Sequence, residues 1–590
     1  MDKQLNNYSY RSLGIGLYSL WRYAPTKRKS QFLALIFLSI FNAFAEVISI
    51  GSVIPFLILV STPEKISEFP TIVLVINDFL NIFPRFNFFQ IFTLIFIVII
   101  IFSYALKLFF LRLSLKVSYS SASDLSVRIF GNILTNPYKY HLSLRTSKVI
   151  TALSNKVNVV AFHVIQSVFS AISSFLIILV VFITLLSYKP LITIFISIFL
   201  TLFYFSLGLL FQKKLLLNSA KIEMHLDKLL KLLQESLGSI RDIILDGSQR
   251  EFISQYKYHD ISMRQAQSLN SFIGISPKFI IEAIGIVFLL LTAFYLNIKN
   301  KNLSEIIPIL GLIIFATQKI LPSIHSFYSA WSNIKGEHFT LNNIINLLND
   351  SSAGPIDKRI KFDKSLKFNH EIKFKNVAFT YGTSSKHVLK AINLSIRKGS
   401  KVALIGTSGS GKSTFADILM GLLQPNNGEI WIDNNLLTSS NLFRWRKKIA
   451  HVPQNIYLLD ASILENIAFG VSPEKVDIKK INKIIKKINL KAFVDTLDKG
   501  IYSEIGERGI NLSGGQKQKI AIARALFRDA TLIVFDEATS SLDPKSQNEI
   551  IDVISNLGKE ITVIMITHQI NLVKKFKFLY TLKNGVILKK

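Results

Sequence analysis

Cysteine is absent from all 590 residues, which excludes disulfides, thiolate catalysis and cysteine-ligated zinc. Charged residues are also scarce: they form 18% of the chain, against about 25% in soluble globular proteins. Acidic residues number 38 against 69 basic ones, so the formal net charge is +31. Half of the chain is hydrophobic, which excludes disorder and a wholly soluble enzyme. The composition therefore predicts that part of the chain lies in lipid.

The excess of basic residues has two readings. Nucleic-acid-binding proteins are basic, but membrane proteins also carry lysine and arginine on their cytoplasmic side, where the charge suits anionic lipid. The chain has no basic residues interleaved with aromatic ones in the manner of single-strand binders. We therefore predict membrane lipid as a partner and no nucleic acid.

Long apolar runs are confined to the first 325 residues or so. A membrane-spanning helix needs about 20 mostly apolar residues, and the last run is the weakest because Gln318, Lys319 and Pro322 close it. The sequence thus predicts an all-α domain with six spans, followed by a half that alternates short strands and helices. The six runs are 31–60, 88–111, 164–186, 191–211, 272–296 and 303–321.

The charges between the runs predict the orientation. Residues 107–156, from the end of the second run towards the third, carry eight basic residues against Asp124 alone, and basic loops face the cytoplasm. Both termini are then cytoplasmic in a multi-pass protein. The two inner segments are predicted as helical extensions that turn near 136–142 and 240–245. Residues 8–21 fit either an interfacial helix or a solvated tail.

Residues 406–413 read GTSGSGKS and match the phosphate-loop pattern GxxxxGK[ST]. An apolar strand pattern (401–405) precedes them and a helical pattern (414–423) follows, which is the context that the motif requires. Glycines let backbone N–H groups turn towards phosphates, and the helix N-terminus adds its positive end. Lys412 is predicted to reach the outer phosphates and Ser413 to bind Mg²⁺. The predicted phosphate-binding residues are Gly406, Thr407, Ser408, Gly409, Ser410, Gly411, Lys412, Ser413 and Thr414.

A second apolar strand pattern (531–535) ends in two acidic residues. The carboxylate of Asp536 can hold Mg²⁺, and Glu537 can accept a proton from an attacking water. An acid pair in this position can also merely cap a helix. Beside a phosphate loop, the catalytic reading is favoured.

Residues 512–516 read LSGGQ and resemble the signature of ATP-binding-cassette (ABC) ATPases. Further motifs follow in that family's order, including the loop 506–509 ahead of the signature. Singly, an edge-strand tyrosine, a turn glutamine and a surface histidine would be unremarkable; the ordered set favours the family. The departures are Lys519 and Gln569, where arginine is common. The resemblance implies adenine stacking by Tyr381, Mg²⁺ sensing by Gln454, ATP binding in trans by Leu512, Ser513, Gly514, Gly515 and Gln516, a domain-joining loop at Ser540, Ser541, Leu542 and Asp543, and γ-phosphate sensing by His568.

Six spans followed by one such ATPase resemble the half-transporters of the ABC exporter class. That family implies a type IV six-helix transmembrane domain, a C-terminal α/β nucleotide-binding domain, the cofactors ATP and Mg²⁺, and alternating access. It also implies that each ATP lies between two chains, so we predict a homodimer, with a heterodimer left open. The predicted boundaries are 1–29 for the N-terminal segment, 30–339 for the membrane domain, 340–368 for a linker and 369–590 for the cassette.

The sequence gives weaker evidence for the identity of the transported cargo. Glu46 and Glu282 lie inside runs, where charges are costly and usually face protein or water. Lys107, Lys278 and Lys319 lie near inner ends of spans. These five residues can line a polar substrate path; internal salt bridges and snorkelling lysines are the alternatives.

The membrane half also resembles, loosely, the bacterial lipid-linked oligosaccharide flippases. The resemblance rests on residues 42–56, on 277–282 and on a long external loop, 62–87, with an apolar stretch at 71–75. It implies a polyprenyl-diphosphate glycan turned across the bacterial cytoplasmic (inner) membrane. A drug, lipid or peptide exporter is the alternative, and a cassette ATPase without transport activity is a remote one.

Overall fold

The computed structural model describes residues 13–61, 87–188, 190–298, 303–350, 366–381, 387–506, 509–540 and 542–589, and positions 74, 78, 81 and 85. Side chains at 303–319 and at a few other helix positions lie outside this description. The chain divides into two compact units, Met1–Asn136 with Ser143–Ala353 and Pro137–Leu142 with Gly354–Lys590. Residues 137–142, expected within the membrane domain, thus group with the C-terminal unit.

The first unit is helical throughout its described residues, as predicted. Its long helices exceed a membrane's thickness because they continue into polar extensions. Its helices are α1 Leu13–Tyr23, α2 Thr26–Gly51, α3 Val53–Ser61, α4 Phe88–Thr135, α6 Thr146–Thr151, α7 Val157–Val159, α8 Gln166–Tyr188, α9 Pro190–Gly238, α10 Ile240–Asp246, α11 Gln249–Ile298, α12 Leu303–Gly336 and α13 His338–Asn349, with α5 Tyr138–Ser143 at the border of the two units.

Five helical stretches among the described residues are long and apolar enough to cross a membrane: Thr26–Ser49, Phe88–Thr135, Thr146–Thr184, Ser197–Gly238 and Gln249–Val287. They correspond to the first five predicted runs. The sixth run forms the beginning of α12, where the side chains of 303–319, Lys319 included, are not described.

The first predicted span is not one helix. Helix α2 ends at Gly51 and α3 begins at Val53, with a turn at Ser52. Glycine weakens a helix interior, and Pro55, which lacks an N–H, is tolerated because it lies in the first turn of the new helix. A hydropathy window cannot detect such a break, since apolar residues continue on both sides.

Helix α13 covers the first residues of the predicted linker at 340–368. Leu341, Ile344 and Ile345 of this helix are fully buried in the first unit. The segment is polar at alternate turns, which conceals its apolar stripe. Most of the remaining linker and of the external loop 62–87 lies outside the described residues.

The C-terminal unit contains two sheets and short helices, the α/β class that was predicted. A six-stranded sheet has the order β10-β9-β3-β8-β7-β6, parallel except for β10, and an antiparallel sheet has the order β2-β1-β4-β5. The strands are β1 Glu371–Phe379, β2 Leu389–Arg397, β3 Lys401–Ile405, β4 Asn427–Ile432, β5 Asn435–Leu436, β6 Ile449–Val452, β7 Leu532–Asp536, β8 Thr562–Thr567, β9 Phe578–Lys583 and β10 Val586–Lys589; the helices are α14 Lys412–Leu419, α15 Leu442–Lys447, α16 Ile463–Ile467, α17 Ile478–Lys487, α18 Lys491–Asp495, α19 Gly514–Phe527 and α20 Pro544–Ser555.

The central strands of the six-stranded sheet are apolar on both faces, because each face is covered. Along β7, Leu532 and Val534 enter one hydrophobic core, while Ile533 and Phe535 enter the other. Successive side chains of a strand point to opposite faces. This double burial explains why β3 and β7 read as continuous apolar runs in the sequence.

Candidate nucleotide-binding site

The predicted site residues come together because parallel strands end at the same edge of the sheet. Strand β8 lies between β3 and β7, with Ile405 opposite Thr567 and Asp536 opposite Ile566. Strand β6 lies beside β7 and leads to Gln454, and β8 leads to His568. In open α/β sheets, ligands bind outside the carboxyl ends of the strands. Four separate sequence motifs therefore converge on one edge.

The phosphate loop requires its glycines for conformation and for space. Gly409 and Gly411 have φ values of 76° and 103°, which other residues rarely adopt. A Cβ on Gly411 would lie 3.1 Å from the Val388 carbonyl oxygen. Helix α14 begins at Lys412, two residues before the predicted helical pattern, so its free N–H groups face the loop.

Lys412 is folded onto its own loop. Its side chain is only 6% exposed, and its Nζ donates to the carbonyl oxygens of Gly406 and Thr407, both at 2.9 Å. The same Nζ lies 3.8 Å from Oε1 of Glu537. A phosphate that enters the loop competes with these oxygens for the ammonium group.

Glu537 stands at the centre of the predicted catalytic group. Its backbone has φ 48°, a strained value for a non-glycine residue, and its N–H donates to the Ile566 carbonyl at 2.9 Å. Its Oε1 lies 3.5 Å from Nδ1 of His568. The backbone strain points the carboxylate towards Lys412 and His568 together, as a general base beside a γ-phosphate requires.

Gln454 joins this group through a hydroxyl. Its Nε2 lies 3.4 Å from Oγ of Ser540, which in turn donates to the Glu537 carbonyl at 2.9 Å. Ser541 lies outside the described residues. Asp543 caps helix α20 by accepting from the Ser546 N–H, and hydrogen bonds from the Ser546 hydroxyl and then from this N–H lower the pKa of its carboxyl. Hydrogen bonds therefore link Gln454, through Ser540 of the predicted domain-joining loop, to the backbone of Glu537.

The donor set fits a Mg²⁺ ion that shares its ligands with phosphates. Asp536 accepts a hydrogen bond from Ser413, and burial raises the pKa of the Asp536 carboxyl. The buried hydroxyl of Ser410 has no hydrogen-bond partner. Among the described residues, no group of three or more His, Asp or Glu side chains is arranged to hold a metal ion by itself. Magnesium characteristically takes one or two carboxylates and completes its shell with phosphates and water.

Tyr381 lies at the rim of the site. Its hydroxyl is 3.1 Å from Oγ1 of Thr414, and its ring packs edge-on against Phe379.

Sequence reasoning missed two neighbours of this rim. Burial raises the pKa of Asp417, one turn along α14, to about 6. Tyr138 from α5 packs against the same core, and burial followed by the charges of Asp417 and Tyr381 raises its pKa. The helical position of Asp417 after Ser413 was a usable signal; nothing in the sequence pointed to Tyr138.

The signature residues form the start of helix α19. Ser513 is the N-cap: its Oγ accepts from the Gln516 N–H at 3.3 Å, and Gln516 accepts from the Ser513 N–H at 2.8 Å. Ser513 and Gly514 are exposed, whereas Gly515 is buried against Ser546. The hydrogen bonds of Ser513 and Gln516 stay within this turn. None of them reaches the phosphate loop of the same chain.

The five predicted path residues are only partly brought together. Glu46, whose side chain is 4% exposed, pairs with Lys107 at 3.3 Å, and Lys278 pairs with Glu282 at 3.8 Å within α11. The first pair is thus an internal salt bridge, one of the two alternatives for these charges. Lys319 lies outside the described side chains.

Sequence reasoning missed three further polar residues near the Lys278–Glu282 pair, namely Tyr204, His325 and Tyr328. His325 lies within electrostatic reach of Lys278 and Glu282, and the ring of Tyr204 lies 5.2 Å from that of Tyr328. The buried Tyr328 hydroxyl has no hydrogen-bond partner. Their positions on helices α9 and α12 gave no periodic signal in the sequence.

Comparison with protein families assigns both halves. Residues 31–319 match the ABC transporter transmembrane region, and residues 389–540 match the ABC transporter ATP-binding model. A model of an AAA domain also matches residues 510–574.

Curated relatives include two kinds of protein. The chain is 30% identical over 371 residues to ATP-binding cassette sub-family B member 5 of Mus musculus, covering 60% of this chain and 28% of the relative. ATP-dependent lipid A-core flippases are 30% identical over 370 residues in Wigglesworthia glossinidia brevipalpis, covering 62% of each chain, and 29% identical over 360 residues in Escherichia coli K12, covering 60% of each. The matches thus span about 60% of the flippases and less of the mouse protein.

A solved structure resembles the whole fold. A bacterial Atm1-family ABC exporter, solved with ATP bound, superposes with a TM-score of 0.76 at 18% sequence identity, covering 95% of this chain and 94% of that one. At this identity, the likeness establishes the fold alone.

Proposed function

Because the chain belongs to the ABC transporters, we propose that two copies of it form an ATP-driven exporter that turns a lipid-linked glycan, or a similar lipid, across a bacterial cytoplasmic membrane. ATP binding closes two composite sites and hydrolysis reopens them. Lys412, Glu537, His568 and Gln454 act on the phosphates from one chain. Ser513 and Gly514 complete the site from the other.

The division of the site within one chain is the observation that carries this proposal. The phosphate loop, Glu537 and His568 lie at one strand edge, while the side-chain hydrogen bonds of Ser513 and Gln516 among the described residues stay within the signature turn. An exposed helix N-terminus with unspent N–H groups attracts anions. A second copy therefore supplies what each phosphate loop lacks.

Helix α10 supports the same arrangement. Its Ile244 and Leu245 are 60% and 76% exposed, at the inner turn that was predicted between the fourth and fifth runs. Large exposed apolar side chains at a helix turn mark contact surfaces. We propose that this helix docks on the cassette of the partner chain and transmits its closure.

A lipid cargo is supported by the flippase relatives and by the chemistry of the membrane half. A sugar-diphosphate head cannot enter hydrocarbon cheaply, and the Lys278, Glu282 and His325 group offers charged and polar contacts inside the membrane half. Because this group contains both a cation, Lys278, and an anion, Glu282, it also suits a zwitterionic head group. A general exporter of drugs or peptides is the competing function.

The composite site is tested by placing two substitutions either on different chains of a dimer or on the same chain. One dimer pairs a Lys412→Ala chain with a Ser513→Asp chain; its control pairs wild type with a chain that carries both changes. Aspartate retains the N-cap of α19 but repels phosphate. If sites form in trans, only the first dimer has an intact site and hydrolyses ATP in a single turnover. Hydrolysis by the control dimer alone would place both motifs in one site and overturn the proposal.

Liposomes test the cargo. The purified protein is reconstituted with labelled polyprenyl-diphosphate glycan, and the label that remains accessible from outside is followed after addition of Mg-ATP. We expect movement in the wild type and none in Glu537→Gln. Stimulation of ATP hydrolysis by hydrophobic drugs, with no movement of the glycan, would favour the general exporter.

A further inference from the structure

An apolar cavity in the first unit is lined by none of the predicted path residues. It has a volume of about 470 Å³ and lies between α1, α2, α4 and α8. Its walls are apolar side chains, among them Leu20, Phe32, Val168 and Ile172. Cavities that hold small molecules measure about 300–1,000 Å³ and have this predominantly apolar character.

Two basic side chains, Arg28 and Arg128, also line the cavity. Arg28 donates through Nε to Asp124 at 2.7 Å and through one terminal nitrogen to Gln31 at 2.8 Å. Arg128 donates to the Tyr23 carbonyl at 3.1 Å and lies 4.6 Å above the Tyr23 ring. A guanidinium has five N–H donors, so both arginines retain donors for another oxygen anion.

The cavity lies where the first span meets the membrane surface. Helix α2 begins the first span at Thr26, so Arg28 belongs to its first turn. Helix α1 exposes Ile15 and Tyr18 to the outside, as helices that lie in the membrane interface do. Trp21 lines the cavity, with the Lys29 ammonium 5.8 Å from its ring. Tryptophan and tyrosine mark the interface, and basic residues mark its cytoplasmic side.

We propose that this cavity binds an anionic phospholipid of the inner leaflet, with one acyl chain between the four helices and the headgroup phosphate on Arg28 and Arg128. The apolar walls match a hydrocarbon chain, and the two arginines of the lining match an anionic head and outnumber the single Asp124 carboxylate. The site holds a resident lipid and is separate from the transported cargo.

Quenching of Trp21 by brominated lipid tests the proposal. The full-length protein is placed in nanodiscs that contain small fractions of phosphatidylglycerol or phosphatidylcholine with dibrominated acyl chains. The signal of Trp21 is the difference between wild type and Trp21→Phe, which removes the other three tryptophans from the comparison. We expect saturable quenching at about fivefold lower fractions of the anionic lipid, the factor expected for one basic side chain.

Two variants break the same ion pair with opposite consequences for a lipid. Arg28→Gln removes an anchor of the phosphate and should reduce the preference for anionic lipid by about fivefold. Asp124→Asn frees Arg28 and should retain or increase it. If the pair were only structural, the two variants would behave alike, and that result would overturn the proposal.

A third variant tests the location. Val168→Phe fills the cavity and should reduce quenching by both lipids, whereas quenching by bulk lipid would be unchanged. Equal quenching of wild type by the two headgroups also contradicts the proposal. If quenching appears only after residues 2–12 are deleted, the cavity holds that segment of the chain and no lipid.

Discussion

Glu537→Gln should separate ATP binding from ATP hydrolysis. The substitution keeps the shape of the side chain and removes its charge. In the structure, this charge lies 3.8 Å from the Lys412 ammonium and 3.5 Å from His568. Neither Lys412 nor Glu537 is well exposed, at 6% and 22%, so solvent screens their interaction only in part.

The expected effects on the rate of hydrolysis and on ATP affinity can be estimated. Loss of a general base typically costs about 10²–10⁴ in rate, so we expect turnover to fall by that factor. At an effective dielectric constant of about 20, the charge pair at this distance is worth about 4 kcal/mol. Solvation of the freed ammonium and its two carbonyl partners offset most of this energy. We therefore expect ATP to bind up to about tenfold more tightly, because Lys412 is more easily recruited by phosphate.

The assay measures steady-state hydrolysis and equilibrium ATP binding on the same detergent-purified protein. Lys412→Ala is the control, since it should weaken binding itself. Turnover near that of wild type would remove Glu537 from the role of base. Weaker ATP binding by Glu537→Gln would refute the competition between the carboxylate and phosphate for Lys412.

Three other predictions concern stability and the phosphate loop. Lys156→Met leaves the buried Glu223 carboxylate without its cation and should cost about 3–5 kcal/mol, whereas the further change Glu223→Met should recover most of the lost thermal stability. Burial raises the pKa of Glu337 to about 7 from 4.5, so the unfolded chain ionises first and stability falls as pH rises from 4.5 to 7; Glu337→Gln should raise the unfolding temperature at pH 8 and leave it unchanged at pH 4.5. Gly411→Ala should weaken ATP binding more than Gly409→Ala, because both add strain but only a Cβ on Gly411 meets a backbone oxygen. An equal loss for the two glycines would contradict the last prediction.

Two strands that were predicted from short apolar runs are present in the structure. The strand at 401–405 is found with its predicted bounds, and the strand predicted at 531–535 is displaced by one residue. Both are short apolar runs followed by glycine or acidic residues. The burial of both faces imposes the run, and the positive φ angles of the loop after β3 impose the glycines. Each requirement acts over a few neighbouring residues, so the sequence displays it directly.

Weaker local patterns left two physical solutions open. The apolar run at 31–60 is compatible with one helix or with two, because hydropathy records solvent preference and not backbone continuity. The helix at 338–349, which buries seven of its twelve residues, crosses the predicted boundary between the membrane domain and the linker. The charge at Glu46 suited either a substrate path or a salt bridge, and the choice depended on Lys107, 61 residues away.

The sequence by itself determined the class of each half, the membrane spans as runs and the residues of the phosphate loop, because hydrophobic period and turn chemistry act between near neighbours. Only the tertiary structure decided that Glu537, His568 and Gln454 meet at one sheet edge, that Tyr138 and Asp417 lie near Tyr381, and that a cavity lined by two arginines lies between α1, α2, α4 and α8. Those arrangements arise from strand order and helix packing between residues tens to hundreds of positions apart. No local pattern encodes such distances.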